Sequence, residues 1–163
     1  MPRKLEKNDY LTGFNCGVEE LDEWLTKYAW INQRANTAVT YVTTYDDRVV
    51  GYYAIAVAGV GKGDAPVGVA GASPPNNVPC LLLARLAVDY SVQGKGVGAG
   101  LLADAMKRTV GLSESVGMRA MLIHSRDEHA RSFYLHQAEF IQSPTDALHL
   151  FASIDQIAKL LRR

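Results

Sequence analysis

The sequence predicts an α/β fold in which helices flank a mixed β-sheet. Residues 80–88 and 120–124 are nearly all apolar, as strands at the centre of a sheet are, and each is followed by a helical pattern. Before them, residues 38–45 alternate and are rich in Val, Thr and Tyr, and a short turn connects them to a β-rich run at 49–58. A hairpin followed by β-α-β-α-β places antiparallel and parallel neighbours in one sheet.

Local patterns predict the remaining elements. Apolar residues at helical spacing from Val18 to Tyr28 indicate a first helix, with Asn15 as its N-cap and with Trp24 and Tyr28 in the core. Residues 59–79 are rich in Gly, Pro, Asn and Ser, which predicts a long loop. Further helices are predicted at 97–110, 128–136 and 154–161, and a last strand at 148–152.

Size and composition narrow the class of protein. The chain has 163 residues with no visible repeat or linker, which predicts a single domain over residues 1–163. Its 17 basic residues balance its 17 acidic residues, so overall charge does not favour non-specific nucleic-acid binding, although a local basic patch stays possible. The longest apolar stretch, 49–60, is too short to span a membrane, and no secretory signal begins the chain. Because Cys16 and Cys80 form no pair motif, we expect reduced thiols in a cytoplasmic protein.

A glycine-rich turn joins the first apolar strand to its helix. It reads Gln93-Gly94-Lys95-Gly96-Val97-Gly98 and is followed by Leu101-Leu102. Glycine lets the backbone approach a ligand closely, and the start of a helix presents unpaired N–H groups at the positive end of its dipole. The turn therefore predicts a site for the phosphate or pyrophosphate of a nucleotide-like cofactor.

Three interpretations compete for this turn. A Walker-type phosphate loop is excluded because no Ser or Thr follows Lys95. A dinucleotide-binding pattern, Gly-x-Gly-x-x-Ala, begins at Gly94, but the acidic residue at the expected offset, Glu114, precedes the next strand instead of ending it. The pattern Gln-x-x-Gly-x-Gly from Gln93 is the pyrophosphate loop of GNAT acetyltransferases and fits without a gap. Glycine-rich turns without a ligand are common, so this motif needs independent support.

A second motif follows the strand at 120–124. Asp127, Ala130, Phe133 and Tyr134 fall at the four positions of Asn-x-x-Ala-x-x-Phe-Tyr, with Asp in place of Asn. With both motifs in the right order, the chain resembles the GNAT acetyltransferases. The resemblance implies a GNAT fold and transfer of the acetyl group of acetyl-CoA to a primary amine.

The resemblance extends to the GNAT toxins of bacterial toxin–antitoxin pairs. It is carried by Phe14-Asn15-Cys16-Gly17, Leu21-Asp22-x-Trp24-Leu25, Asn32-Gln33-Arg34, Val49-Val50-Gly51-Tyr52-Tyr53, Leu83-x-Arg85-Leu86-Ala87-Val88 and Ser143-Pro144-Thr145-Asp146. It implies aminoacyl-tRNA as the substrate and a ribbon-helix-helix antitoxin as a partner, and we also expect a homodimer. One departure is Glu139 before Phe140, where the family usually has Gly.

The resemblance assigns roles to single residues. The implied cofactor-binding positions are Leu86, Ala87 and Val88 on the strand, Gln93, Gly94, Lys95, Gly96, Val97, Gly98 and Ala99 around the pyrophosphate, and Asp127 near the pantetheine. Tyr134 is the candidate general acid that protonates the leaving thiolate, with packing of its helix against the sheet as the alternative. Helix capping is the alternative for Asp127, and an exposed loop position is the alternative for Lys95.

Three polar residues are candidates for contacting the acceptor substrate. Arg85 suits a phosphate or carboxylate, although an ion pair with a core carboxylate explains it equally well. Asn32 and Arg34 are candidates for contacting tRNA or an antitoxin, and a solvated helix end is their alternative. The four histidines are His124, His129, His136 and His149. No metal-binding motif accompanies them, so no metal is expected.

Two other functions compete with the toxin hypothesis. One is a GNAT acetyltransferase that acts on a small amine or on a protein amino group. The other, from a different class, is a CoA-binding interaction protein without turnover. The presence of Tyr134 favours an enzyme, and the N-terminal signatures together with residues 143–146 favour the toxin.

Overall fold

The computed structural model describes residues 1–162. Its strands are β1 (Arg3–Lys4), β2 (Val39–Tyr45), β3 (Arg48–Gly61), β4 (Asn77–Val88), β5 (Ala120–His124), β6 (Ile141–Gln142) and β7 (His149–Ser153). Its helices are α1 (Glu19–Glu23), α2 (Ala29–Arg34), α3 (Val67–Ala70), α4 (Val97–Ser113), α5 (Glu128–Gln137) and α6 (Ile154–Leu161). A π-helical segment, Trp24–Tyr28, connects α1 to α2, and a 3₁₀ turn, Tyr90–Val92, follows β4.

The strands form a mixed sheet. Over residues 1–162 the sheet has seven strands in the order β1-β2-β3-β4-β5-β7-β6. The pairs β1–β2, β2–β3, β5–β7 and β6–β7 are antiparallel, whereas β4 and β5 are parallel. This mixture confirms the fold class predicted from the sequence.

The chain divides into two compact units, and each has its own apolar core. The first comprises Met1–Ala56 and Ala84–Ala105. In its core Trp24 stacks on Tyr52, with ring centroids 6.0 Å apart, and the Tyr52 hydroxyl donates to the Leu21 carbonyl at 2.7 Å. The polar end of this buried tyrosine is therefore satisfied inside the apolar core.

The second unit comprises Val57–Leu83 and the described residues from Met106 onward. Its core packs Leu122 and Phe151 of the sheet against Val69 of α3, and all three side chains are buried. Arg119 contacts α3 at this core, because its Nε donates to the Val69 carbonyl at 3.0 Å.

Long periodic segments agree with their predictions. The strand at 120–124 and the helix at 154–161 have the predicted bounds as β5 and α6. The helices predicted at 97–110 and 128–136 are α4 and α5, which end at Ser113 and Gln137, slightly beyond the predicted bounds. The buried side of α4 includes Leu101, Leu102, Ala105 and Met106.

Two predictions about the first helix are wrong. Asn15 is not its N-cap, because α1 follows Val18 and the Asn15 side chain accepts from the Gly17 N–H at 3.0 Å. Tyr28 is 47% exposed and does not belong to the core. The reason is the π-helical segment, in which the Ala29 N–H donates to the carbonyl of Trp24, five residues earlier, so that Ala29 takes the buried position.

The long loop predicted at 59–79 is also wrong. β3 continues to Gly61, α3 follows, and β4 begins at Asn77. Gly59 and Gly61 lie within β3, so the glycines that suggested a loop occur inside a strand. The short strands β1 and β6 were not predicted, because two residues are too few to form a pattern.

Candidate active site

β4 extends beyond its ladder with β5. The parallel register begins with Cys80 opposite Ala120 and ends with Leu83 opposite Ile123, whereas β4 continues to Val88. The predicted cofactor-binding positions of this strand, Leu86, Ala87 and Val88, therefore lie past the last parallel pair. Ligands of open α/β sheets bind at the carboxyl ends of parallel strands, so the location suits a binding site.

The Gln93 side chain holds the end of β4. Its Nε2 donates to the Val88 carbonyl at 2.8 Å and to the Cys16 carbonyl at 3.0 Å. Its backbone N–H donates to the Tyr90 carbonyl at 3.4 Å. The Val88 carbonyl and the Gln93 N–H, which we expected to face the cofactor, are thus used within the protein. Gln93 supports the turn, and the residues from Gly94 onward stay the predicted phosphate-binding part of the motif.

The turn after Gln93 has the backbone that an anion site needs. Gly94 and Gly96 have φ values of +77° and +81°, which side chains rarely tolerate, and a Cβ on either would meet no atom within 4 Å. The first bond of the α4 ladder runs from the Gly100 N–H to the Gly96 carbonyl at 3.0 Å. The N–H groups of the first turn, which include Val97, Gly98 and Ala99, precede that bond. Lys95 is exposed beside them.

This turn fits the pyrophosphate of acetyl-CoA. The open space beside both glycines leaves room for phosphate oxygens, and the first-turn N–H groups with the helix dipole attract negative charge. Lys95 adds a cation on the same loop.

Asp89 organises the backbone between β4 and the turn. Its carboxylate accepts from the Asn15 N–H at 2.8 Å, from the Ser91 N–H and hydroxyl at 3.0 and 2.6 Å, and from Arg48 at 3.3 Å. Burial alone raises the pKa of Asp89, but the hydrogen bonds from Ser91, Asn15 and Arg48 outweigh it and hold the pKa well below its ordinary range. Sequence reasoning missed this residue, although an Asp two residues before a Ser is a capping signal.

Tyr134 lies near the end of α5 and is buried. Its ring contacts Phe133 edge-on, with centroids 5.3 Å apart. Burial raises the pKa of the Tyr134 phenol above its ordinary value, so the hydroxyl keeps its proton at neutral pH. A protonated phenol is the state that a general acid requires.

Asp127 is the N-cap of α5. Its Oδ1 accepts from the Ala130 N–H at 2.9 Å, and this bond holds the pKa of the carboxyl below its ordinary value. Arg126 contributes an exposed ion pair to the same carboxylate at 3.0 Å. The capping alternative is therefore confirmed, and a contact of Asp127 with pantetheine stays a prediction.

The candidate substrate residues occupy different environments. The Arg85 guanidinium lies over the Trp24 ring, 4.4 Å from its centroid, so a cation–π contact holds it in place. Asn32 donates to the Tyr28 carbonyl at 2.8 Å and accepts from the Thr37 hydroxyl at 2.7 Å, which closes the end of α2. Arg34 is exposed at that end. Arg34 is thus accessible to a partner, whereas Arg85 and Asn32 also have structural roles.

Two of the four histidines lie together. His124 and His149 are stacked, with ring centroids 4.0 Å apart and planes 15° apart. The sequence offered no signal for this pair, since it depends on the β5–β7 register. Within residues 1–162 there is no group of three or more His, Cys, Asp or Glu residues that could hold a metal ion. No described helix is long and apolar enough to cross a membrane.

Comparisons with known proteins agree with both motifs. The profile of the Acetyltransferase (GNAT) family matches residues 5–140, and the chain belongs to this family. It is therefore an acetyltransferase in class, with the GNAT fold.

One curated relative and two solved structures of AtaT make the comparison more specific. The "tRNA-acetylating toxin" of Mycobacterium tuberculosis (strain ATCC 25618 / H37Rv) is 44% identical over 149 residues, which is 91% of this chain and 89% of the relative. A structure of AtaT complexed with acetyl-methionyl-tRNAfMet is 29% identical, covers 99% and 98% of the two chains, and has a TM-score of 0.88. A mutant AtaT toxin bound to the C-terminus of the antitoxin AtaR and acetyl-CoA is 28% identical, covers 100% and 98%, and has a TM-score of 0.83.

Proposed function

We propose that this protein is a toxin that transfers the acetyl group of acetyl-CoA to the α-amino group of aminoacyl-tRNA and thereby blocks translation. The observation that carries the proposal is 44% identity over 91% of the chain to a tRNA-acetylating toxin. The likeness to AtaT in complex with acetyl-methionyl-tRNAfMet supports the same substrate class.

In this proposal some residues bind acetyl-CoA and another transfers a proton. The turn from Gly94 to the start of α4 binds the pyrophosphate, and Lys95 adds positive charge there. At the end of β4, backbone groups of Leu86 to Val88 other than the Val88 carbonyl, which accepts from Gln93, bind the pantetheine and the thioester carbonyl. Acetyl-CoA supplies the activated acetyl group, and the Tyr134 hydroxyl supplies the proton that the leaving sulfur needs.

Partners follow from the same comparison. We propose that a ribbon-helix-helix antitoxin inhibits the protein, because a relative of 28% identity is bound to the C-terminus of its antitoxin. We further propose that the active form is a cytoplasmic homodimer. The chain carries no net charge, so pairing two subunits would help to collect enough cations for a tRNA acceptor stem.

The substrate proposal is tested by direct competition. Purified protein with labelled acetyl-CoA is given aminoacyl-tRNA, uncharged tRNA, small amines and a lysine peptide at equal concentrations. We expect label only on aminoacyl-tRNA, with a rate that falls steeply with salt, since phosphate contacts release counterions. Exposed cations for this binding include Arg34, Lys62 and Arg126.

Two results would contradict the proposal. Preferential acetylation of a small amine, without salt dependence, would leave an ordinary acetyltransferase. Binding of acetyl-CoA without any turnover on these acceptors would favour an interaction protein. In cells, expression alone should arrest growth through translation, and Tyr134→Phe should restore growth at equal protein level.

A further inference from the structure

The stacked histidines occupy a defined position in the sheet. His124 and His149 face each other across the antiparallel β5–β7 ladder, which places both side chains on the same face. His124 is also the residue that follows Ile123, where the parallel β4–β5 ladder ends. The pair therefore stands at the carboxyl end of β5, where sheets of this kind bind their ligands.

A cleft of about 340 Å³ opens beside the pair. The titratable groups that line it are His124, His149, Asp64 and Asp146. Asp146 Oδ2 lies 3.4 Å from His149 Nε2, while its Oδ1 accepts from the Leu148 N–H at 2.9 Å. Asp64, which also lines the cleft, accepts from the Thr145 hydroxyl at 2.8 Å. The cleft thus combines two proton acceptors with two carboxylates, which suits an ammonium group.

The environment of His124 favours the neutral form of its imidazole, which can accept a proton. Burial lowers the pKa of His124, the neighbouring His149 lowers it further, and Asp146 opposes them, with a net pKa below the ordinary value. The imidazole is therefore neutral at neutral pH and has a nitrogen lone pair available. The His124 side chain is also exposed at the cleft, so an acceptor can reach it.

We propose that His124 is the catalytic base for the acceptor amine, and that His149 and Asp146 position it. The inference rests on the proposed acetyl transfer to an aminoacyl group, whose α-amino group is largely protonated below a pH of about 7.7. His124 takes one proton from this ammonium, and the nitrogen lone pair then forms the C–N bond to the thioester carbonyl carbon. The C–S bond breaks, sulfur keeps the electron pair and receives the proton of Tyr134, and the second nitrogen proton passes to water, from which Tyr134 is reprotonated.

The pH profile of kcat/KM for aminoacyl-tRNA tests this role. His124→Gln should lower kcat/KM by about 10²-fold or more at pH 6.5, because general-base help of this size is lost. The loss should shrink above a pH of about 8, where the free amine predominates without a base. His129→Gln, which changes an exposed histidine of α5, is the matched control and should keep the wild-type profile.

Substitution of the two positioning residues should shift the acidic limb of the pH profile in opposite directions. His149→Phe keeps a stacked ring but removes the charge that lowers the pKa of His124, so the acidic limb should move to higher pH. Asp146→Asn removes the charge that raises this pKa, so the limb should move to lower pH. A purely structural role would instead change the rate equally at every pH.

The result that would overturn the inference is a wild-type pH profile for His124→Gln, or a loss that does not depend on pH. Both outcomes are judged against the pH profile of wild-type protein that acetylates aminoacyl-tRNA. If the wild type does not acetylate this substrate at all, the proposed function fails instead, so the two failures are distinct.

Discussion

Gly96→Asp tests the pyrophosphate turn most directly. At a φ of +81° Asp is tolerated better than most side chains, and a new Cβ meets no atom within 4 Å, so the fold should survive. The new carboxylate would stand where we propose that the phosphates of acetyl-CoA bind. At a separation of about 5 Å and an effective dielectric constant of about 20–80, each phosphate charge is repelled by about 1–3 kcal/mol. Affinity for acetyl-CoA should therefore fall by roughly 5- to 150-fold per charge.

The assay is the rise in Tm on adding acetyl-CoA without metal. At a concentration of about 100 times the wild-type Kd, binding stabilises the wild type by about 2.7 kcal/mol. In a domain of this length that is a Tm rise of about 5–11 °C. A 100-fold weaker variant gains only about 0.4 kcal/mol, which is a rise of about 1–2 °C.

The matched control is Gly96→Asn, which has the same shape and tolerance of positive φ without the charge. It should retain most of the acetyl-CoA shift. Equal shifts in the Asp and Asn variants would refute the reasoning, because charge would then not matter at this position. A wild-type shift that requires magnesium, or an equal shift with NADH, would assign the turn to another cofactor.

Three further predictions concern Tyr134, Asp89 and Arg85. Tyr134→Phe should keep the acetyl-CoA shift in Tm but lower kcat by about 10²–10⁴-fold in the labelled-acetyl assay, and full activity would make Tyr134 structural. Asp89→Asn should cost about 1.5–3 kcal/mol of unfolding free energy at pH 7 by calorimetry. Because the pKa of Asp89 is lowered by folding, the wild type should lose this advantage as pH falls below about 4, whereas a constant gap down to pH 2 would contradict the assignment. Arg85→Gln should cost about 0.5–2 kcal/mol, and in a double-mutant cycle this cost should vanish in a Trp24→Leu background; additive effects would exclude the cation–π contact.

Long periodic elements could be predicted from the sequence because their signals are local. β5 is an unbroken apolar run, and α5 begins with an Asp that caps it. The π-helical segment had no such signal, since its residue types also suit an α-helix and only its i→i+5 bonding moves Tyr28 to the surface. The segment 59–79 was misassigned because small residues favour both loops and closely packed strands.

The site was predictable to the extent that it consists of contiguous motifs. The glycine-rich turn from Gly94 to Gly98 was apparent as a contiguous pattern, and the role of Tyr134 was implied by the resemblance to the GNAT motif and stays a prediction. The bonds of Asp89 to Ser91 had a local capping signal, but its bonds to Asn15 and Arg48 did not, because these partners lie 74 and 41 positions away in the chain. The stacking of His124 on His149 likewise depends on strand register, which a single sequence does not specify.

The two bonds of the Gln93 amide have a consequence for the energetics of ligand binding. Gln93 joins the Val88 carbonyl to the Cys16 carbonyl, so the turn is held between the end of β4 and the N-terminal segment before any nucleotide arrives. The conformational entropy of ordering this turn is therefore lost during folding and not during association. In a chain with a disordered turn, the entropy lost on ordering it would offset part of the favourable free energy of ligand contacts. In this protein the entropy of ordering the turn therefore offsets little of the binding free energy that the predicted pyrophosphate contacts contribute.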